Sequence, residues 1–381
     1  MMALSGGSGG GVGSGSETTS GALPQAEWPE PIQRVQFIAE SGITALPPRY
    51  IKPENDRPAI LDPSTSSEVN IPVIDLGGVR VGERGRERTM QEIAAACKEW
   101  GFFQVLNHGV PLELMRRARE VAREFFSLPL EEKQVYANSP KTYEGYGSRL
   151  GIDKGAILDW GDYFFLHLLP LSIKDINKWP AKPVLYRETM DEYGKQVALL
   201  CEMLLGVLST NLGLEEDYLQ EAFGGKNVGE CMRINYYPKC PQPHLTLGLS
   251  SHSDPGGMTV LLPDDSVRGL EVRKDGRWIL VEPCPHAFIV NIGDQLQILS
   301  NGIYKSVEHR VVVNSERDRL SIALFYNPDG NKILFPAPQI VSDESPPLYQ
   351  PMTFNEYRLF IRTRGPRGKA QVNSITNSTS T

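Results

Sequence analysis

Cysteine is scarce in this chain of 381 residues. The five present, Cys97, Cys201, Cys231, Cys240 and Cys284, make no C-x-x-C pair. A scattered, odd-numbered set argues against a disulfide scaffold or a thiolate zinc cluster, and for reduced thiols inside a cell. Basic charge is short as well. The formal net charge is −7, whereas a general nucleic-acid binder carries a basic face, so no nucleic-acid partner is expected. No apolar run reaches the roughly 18 residues that a membrane-spanning helix needs, and no membrane partner is expected either. A basic or arginine-rich start is also missing, since the first basic residue is Arg34. Neither a secretory signal nor a transit peptide fits that start, and a cytoplasmic location, open to nuclear entry, is expected.

Hydrophobic residues make up 40% of the chain, enough for one large domain or two. Residues 1–26 are Gly/Ser-rich with almost nothing to bury and read as a disordered lead. Residues 27–226 carry mainly helical patterns, such as "TMQEIAAACKEWG", "PLELMRRAREVAREFFSLP" and "LYRETMDEYGKQVALLCEMLLGVLSTNLG". Two short strand-like segments, "IPVIDL" and "GFFQVLNHG", interrupt them. From 227 to 330 the pattern becomes short strands broken by turns: "CMRINYYP", "MTVLLP", "GLEVRKDGRWILVEP", "AFIVNIGDQLQILSN", "YKSVEHRVVVN" and "RLSIALFYN". The expected fold is therefore α+β, a jelly-roll core flanked by an N-terminal helical region. A C-terminal segment, 331–365, closes it with the helix "TFNEYRLFIRT", and 366–381 reads as a loose tail.

Histidine is nearly as scarce, six in all. One of them, His252, stands two residues before Asp254 in "LSSHSDPGGMTVLLPDD". Positions i and i+2 of a strand share a face, so both side chains can converge on one point. A third ligand must come from a later strand. His286 lies in a Pro-rich turn, while His309 leads into an apolar run and is the better candidate. Two histidines and a carboxylate suit a non-haem Fe(II) centre with open positions, and zinc would accept the same set. Further on, Arg319 and Ser321 again stand at i and i+2. A guanidinium fork beside a hydroxyl suits a buried carboxylate. His108 and His244 read as structural, and Tyr143, Tyr146 and the Phe164–Phe165 pair as packing aromatics.

An H-x-D pair, a distal His and an R-x-S in this order resemble the 2-oxoglutarate-dependent dioxygenases. "NIPVIDL", "GFFQVLNHGV", "NYYPKC", "HSDPGGMTVLL", "NIGDQLQILSNGIYKSVEHRV" and "RLSIALFYNP" carry the resemblance from about Asn70 to Gly365. It implies a double-stranded β-helix and Fe(II) held by His252, Asp254 and His309, with 2-oxoglutarate and O2 as cosubstrates and ascorbate as reductant. It also implies cosubstrate contacts from Asn235, Tyr237, Arg319 and Ser321, and no catalytic side chain beyond the metal centre. Pro255, Gly256 and Gly257 would form a turn where a larger residue crowds the metal.

A closer resemblance is to the jasmonate-induced oxygenases, through "EWPEPIQRVQFIAESGITALPPRYIKP", "NSPKTYEGYGSRLGIDKGAILDWGDYFFLHLLP", "FGGKNVGECMRINYYPKC" and "PMTFNEYRLFIRTRGPRGK". That implies hydroxylation of jasmonic acid, lowering active jasmonate and defence signalling. Flavonoid oxidation of the flavonol synthase or anthocyanidin synthase kind is the alternative. The residues bear on the choice. A small apolar acid needs a cationic anchor besides Arg319. Arg233 precedes Asn235 by two on one strand, and Arg358 and Arg362 stand four apart on the last helix. A flavonoid has no use for three such guanidiniums.

Overall fold

The computed structural model describes residues 28–31, 33–59, 69–80, 82–149 and 151–377. The Gly/Ser-rich lead lies outside them. The strands are β1 (Val73–Asp75), β2 (Phe102–Leu106), β3 (Gly145–Gly147), β4 (Asp162–Leu169), β5 (Gly229–Tyr237), β6 (Leu249–His252), β7 (Met258–Leu262), β8 (Leu270–Lys274), β9 (Arg277–Leu280), β10 (Phe288–Ile292), β11 (His309–Val311) and β12 (Arg319–Asn327). They make two walls. An eight-stranded sheet runs β1-β2-β10-β7-β12-β5-β4-β3, and a four-stranded one runs β6-β11-β8-β9. Only the β1–β2 pair is parallel among these. This is the expected α+β jelly roll, with β1 to β4 of the helical region extending its larger sheet.

Side-chain alternation fixes what each face does. Met232 and Ile234 of β5, with Leu320, Ile322 and Leu324 of β12, are at most 1% exposed and point outward from the roll. They pack on the helix Tyr186–Asn211, which turns Tyr193, Val197, Cys201, Leu204 and Leu208 toward them at helical spacing. Each such aliphatic side chain contributes roughly 1.5–3 kcal/mol on burial. The helices Gly82–Glu99 and Leu112–Phe126 join the same core. Strand period 2 then turns the intervening residues, Arg233, Asn235, Tyr237, Arg319 and Ser321, into the roll. A hydrophobic outer face thus supports a polar interior.

Some local expectations need correction. "NIGDQLQILSN" is strand only to Ile292 and then a helix, Asp294–Leu299. That helix is buried on nearly every side, so its sequence has no amphipathic period to distinguish it from a strand. In "YKSVEHRVVVN" only His309–Val311 is strand. The β8–β9 hairpin does turn at Asp275-Gly276, both at positive φ (48° and 77°), as its two-residue turn requires. The stretch after Gly365, read as loose, is packed as far as Asn377. Val372 and Ile375 insert against Ile298, Tyr349 and Tyr357, and Gly368 pairs with His252 as a bridge. Two apolar residues in an otherwise polar stretch were too weak a signal. Among the described residues no helix is long and apolar enough to cross a membrane.

Candidate active site

His252 closes β6, and His309 opens β11 directly opposite it in antiparallel register. Asp254 lies just past the end of β6, in the turn, not on the strand with His252 as the i, i+2 argument supposed. It converges nonetheless. Its Oδ1 is 3.5 Å from His252 Nε2 and 3.7 Å from His309 Nε2, and the ligating atoms of all three lie within 4.8 Å of one another.

Hydrogen bonds aim each group. His252 Nδ1 faces the Ser250 carbonyl at 2.8 Å and His309 Nδ1 the Val307 carbonyl at 3.1 Å. With Nδ1–H donating there, each Nε2 lone pair is free for a metal. The other oxygen of Asp254, Oδ2, accepts from Thr259 Oγ1 at 2.6 Å and Asn291 Nδ2 at 2.8 Å. Burial, with His252 beside it, pushes His309 down to about 4, so its imidazole is neutral. Burial opposes ionisation of Asp254, but His309, His252 and Asn291 outweigh it and hold the carboxyl well below the usual range. A carboxylate and two neutral imidazoles with free inward lone pairs fit a divalent cation with positions to spare.

The glycines after Asp254 are also required by protein neighbours. A Cβ on Gly256 would meet Asn327 Oδ1 at 1.8 Å, and one on Gly257 the Phe223 ring at 2.2 Å. They let the turn after Asp254 press on Asn327 and Phe223.

Across the roll, β12 and β5 bring Arg319 opposite Tyr237 and Ser321 opposite Asn235. Arg319 is 3% exposed. Its Nη1 reaches Ser321 Oγ at 3.4 Å, its guanidinium stands 5.4 Å from the Tyr237 ring centroid, and its Nε has no hydrogen-bond partner. No carboxylate pairs with it among the described residues, and burial lowers its pKa. A buried, unpaired guanidinium is costly unless an anionic ligand completes it.

Three more guanidiniums are half-buried and likewise lack a carboxylate partner among the described residues. Arg233 stands 4.1 Å over the Tyr163 ring with its Nε unpartnered. Arg358 and Arg362 come from one face of the closing helix, Phe354–Arg364. Burial, then the charge of Arg362, brings Arg358 down to about 10. Burial also lowers Arg362. None of the three makes an ion pair among the described residues. All line a cavity of about 520 Å³ that also reaches His252 and Asp254.

The walls of that cavity include residues the sequence reading did not assign to it, Phe165 among them, which it read as packing. Tyr163, Phe165 and His167 of β4, Cys231 of β5 and Phe325 of β12 line it. The alternation in "YFFLHLL" was the available signal, since Phe164 and Leu166 face the core. Tyr143, read as packing, lines the cavity too and donates its hydroxyl to the Arg362 carbonyl. Tyr146 and Phe164 do pack in the core. His108 is structural: its ring bonds the His286 carbonyl and the Val110 amide.

A jelly roll with this triad and a buried arginine opposite it defines a non-haem iron oxygenase, and the comparisons agree. The model of the 2OG-Fe(II) oxygenase superfamily matches residues 228–328, and that of the non-haem dioxygenase N-terminal region named for morphine synthesis matches 71–182. Jasmonate-induced oxygenase 2 of Arabidopsis thaliana is 60% identical over 94% of this chain and 96% of its own. The crystal structure of JOX2 in complex with 2OG, Fe and JA superimposes with a TM-score of 0.86 at 60% identity, covering 92% of this chain and 99% of that one. Flavonol synthase/flavanone 3-hydroxylase of Arabidopsis thaliana is more distant, 42% identical over 86% of this chain and 96% of its own. The chain belongs to the 2OG-Fe(II) oxygenase superfamily and, within it, to the jasmonate-induced oxygenases. It is a dioxygenase that depends on 2-oxoglutarate and Fe(II).

Proposed function

We propose that this enzyme hydroxylates jasmonic acid, giving 12-hydroxyjasmonic acid and so lowering active jasmonate and the defence signalling it drives. In this reading His252, Asp254 and His309 hold the iron. Arg319 and Ser321 take the distal carboxylate of 2-oxoglutarate, with Asn235 and Tyr237 beside it. Arg233, Arg358 and Arg362 take the carboxylate of the substrate. When bound, Fe(II) supplies with 2-oxoglutarate and O2 the oxidising power for C–H hydroxylation, releasing succinate and CO2. The side chains do the rest. They fix the two carboxylates, hold an apolar body against Phe165 and Phe325, and leave little room for water.

One observation carries the reading. The cavity that reaches His252 and Asp254 is lined by three guanidiniums, those of Arg233, Arg358 and Arg362, that make no ion pair among the described residues. A neutral polyphenol would leave them desolvated and unpaired, which is costly; a small carboxylic acid completes them. The test is turnover by anaerobically purified protein with Fe(II), 2-oxoglutarate and a panel of jasmonates and dihydroflavonols, with products read by mass. Oxidation of jasmonic acid at the pentenyl chain is expected. Exclusive oxidation of a dihydroflavonol would overturn the substrate assignment and leave the iron site intact.

A further inference from the structure

The cavity wall is ordered in rows across three paired strands. Arg319 pairs with Tyr237 at the cosubstrate end. Next come Ser321, Asn235 and Tyr163, then Ala323, Arg233 and Phe165, then Phe325, Cys231 and His167. Successive rows are two residues apart, about 7 Å along the strands. His167 therefore stands one row beyond Arg233 and three beyond Arg319.

Its environment is unusual for a cavity histidine. Leu166 and Leu168 on either side of it point into the core, so strand period 2 turns the imidazole into the cavity. The ring sits edge-to-face on Phe165 at 5.1 Å. Neither ring nitrogen has a hydrogen-bond partner among the described residues. Burial first, and then the charges of Arg362, Arg358 and Lys178, bring it down to about 4. The imidazole is thus neutral at ordinary pH, with one N–H donor and one acceptor nitrogen unused. A core histidine would have satisfied those atoms within the protein, as His108 does.

A carboxylate has about four lone-pair sites, and three guanidiniums with five N–H donors each exceed them. The neutral imidazole beside them is left for another group. We infer that His167 is a specificity-determining residue that hydrogen-bonds a neutral oxygen of the substrate, a ketone or hydroxyl a few carbons from the carboxylate held by Arg233, Arg358 and Arg362. This rests on the jasmonate reading, in which the oxygen is the ring ketone. It would let the site separate oxygenated cyclic acids from plain fatty acids of the same charge.

The test is calorimetric binding to the Fe(II)- and 2-oxoglutarate-loaded enzyme held without O2. Two ligands are compared, jasmonic acid and its analogue with the ketone replaced by methylene. For His167→Phe, jasmonic acid binding is expected to fall roughly 3- to 10-fold, the loss of one neutral hydrogen bond. The deoxo analogue should change less than about 2-fold, and His167→Gln should recover most of the loss for jasmonic acid. Equal loss for both ligands, or no loss for either, would overturn the inference and leave the jasmonate reading standing. A wild-type enzyme that binds neither ligand would overturn both, and Arg233→Ala in the same series identifies that case.

Discussion

Thr259 donates its hydroxyl to Asp254 Oδ2 across 2.6 Å, which turns Oδ1 toward both histidines. Thr259 is on β7, in the large sheet, whereas His252 and His309 belong to the small one. This hydrogen bond, with the one from Asn291 of β10, ties the Asp254 carboxylate to the opposite wall of the roll. Thr259→Val keeps the volume and removes the donor. Apparent Fe(II) affinity should fall about 10-fold or more, as for other groups that orient metal ligands. Fe(II) titration followed by succinate release measures it. Asp254→Ala removes the ligand outright and should abolish succinate formation with the fold retained; an unchanged affinity in Thr259→Val would mean that Asn291 alone suffices to orient the carboxylate.

Arg319 makes a sharper case because only its hydrogen-bonding shape is in question. Arg319→Lys keeps the charge and loses the planar fork. The KM for 2-oxoglutarate should rise about 10-fold or more, taking a charged hydrogen bond as roughly 1.5–3 kcal/mol. An unchanged KM would assign the distal carboxylate to another residue.

Much of this site was legible before any coordinates, and the reason is chemical. Candidate metal ligands and carboxylate anchors are rare residue types in fixed short spacings, so His252, Asp254, His309, Arg319 and Ser321 stand out of the sequence. Arg233 was legible by strand period from Asn235, and Arg358 with Arg362 by helical period. Phe165, His167 and Phe325 were not, because an aromatic or a lone histidine on a strand says nothing about which face is the core until its neighbours are paired. The helix Asp294–Leu299 was missed for a related reason: full burial erases periodicity. The role of Gly256 and Gly257 depended on Asn327 and Phe223, residues far away in sequence that only folding brings near.

The tail prediction concerns residues that looked dispensable. Gly368 N donates to the Ser251 carbonyl at 2.8 Å, and Ser253 N donates back to the Gly368 carbonyl at 3.2 Å. These bonds flank His252. Lys369 also reaches the Ser306 carbonyl and approaches Asp294, the buried carboxylate bonded by Ser253 and Tyr357. Deleting 366–381 should lower Tm by several degrees, since it uncovers Ile298, Tyr349 and Tyr357, and should weaken Fe(II) retention. Thermal melts with and without Fe(II) measure both. A truncated enzyme that melts and retains iron like the full chain would show that β6 holds its ligand unaided.

The arginine trio is separated from mere fold support by a ligand that lacks the charge. If Arg233, Arg358 and Arg362 clamp a carboxylate, Arg233→Ala should weaken jasmonic acid far more than 2-oxoglutarate, which is held two strand rows away at Arg319. Leaving a carboxylate with fewer partners in a largely apolar cavity costs roughly 1–3 kcal/mol, or about 5- to 150-fold in affinity. The methyl ester has no charge to clamp, so it should bind the wild type poorly and lose little more in the variant. Acid and ester against wild type and variant form a double-mutant cycle in which one partner is the ligand's own charge. A coupling of about 1 kcal/mol or more assigns the guanidinium to the substrate. Equal losses for acid and ester would instead mean that Arg233, stacked on Tyr163 at 4.1 Å, serves only to hold β4 and β5 in place.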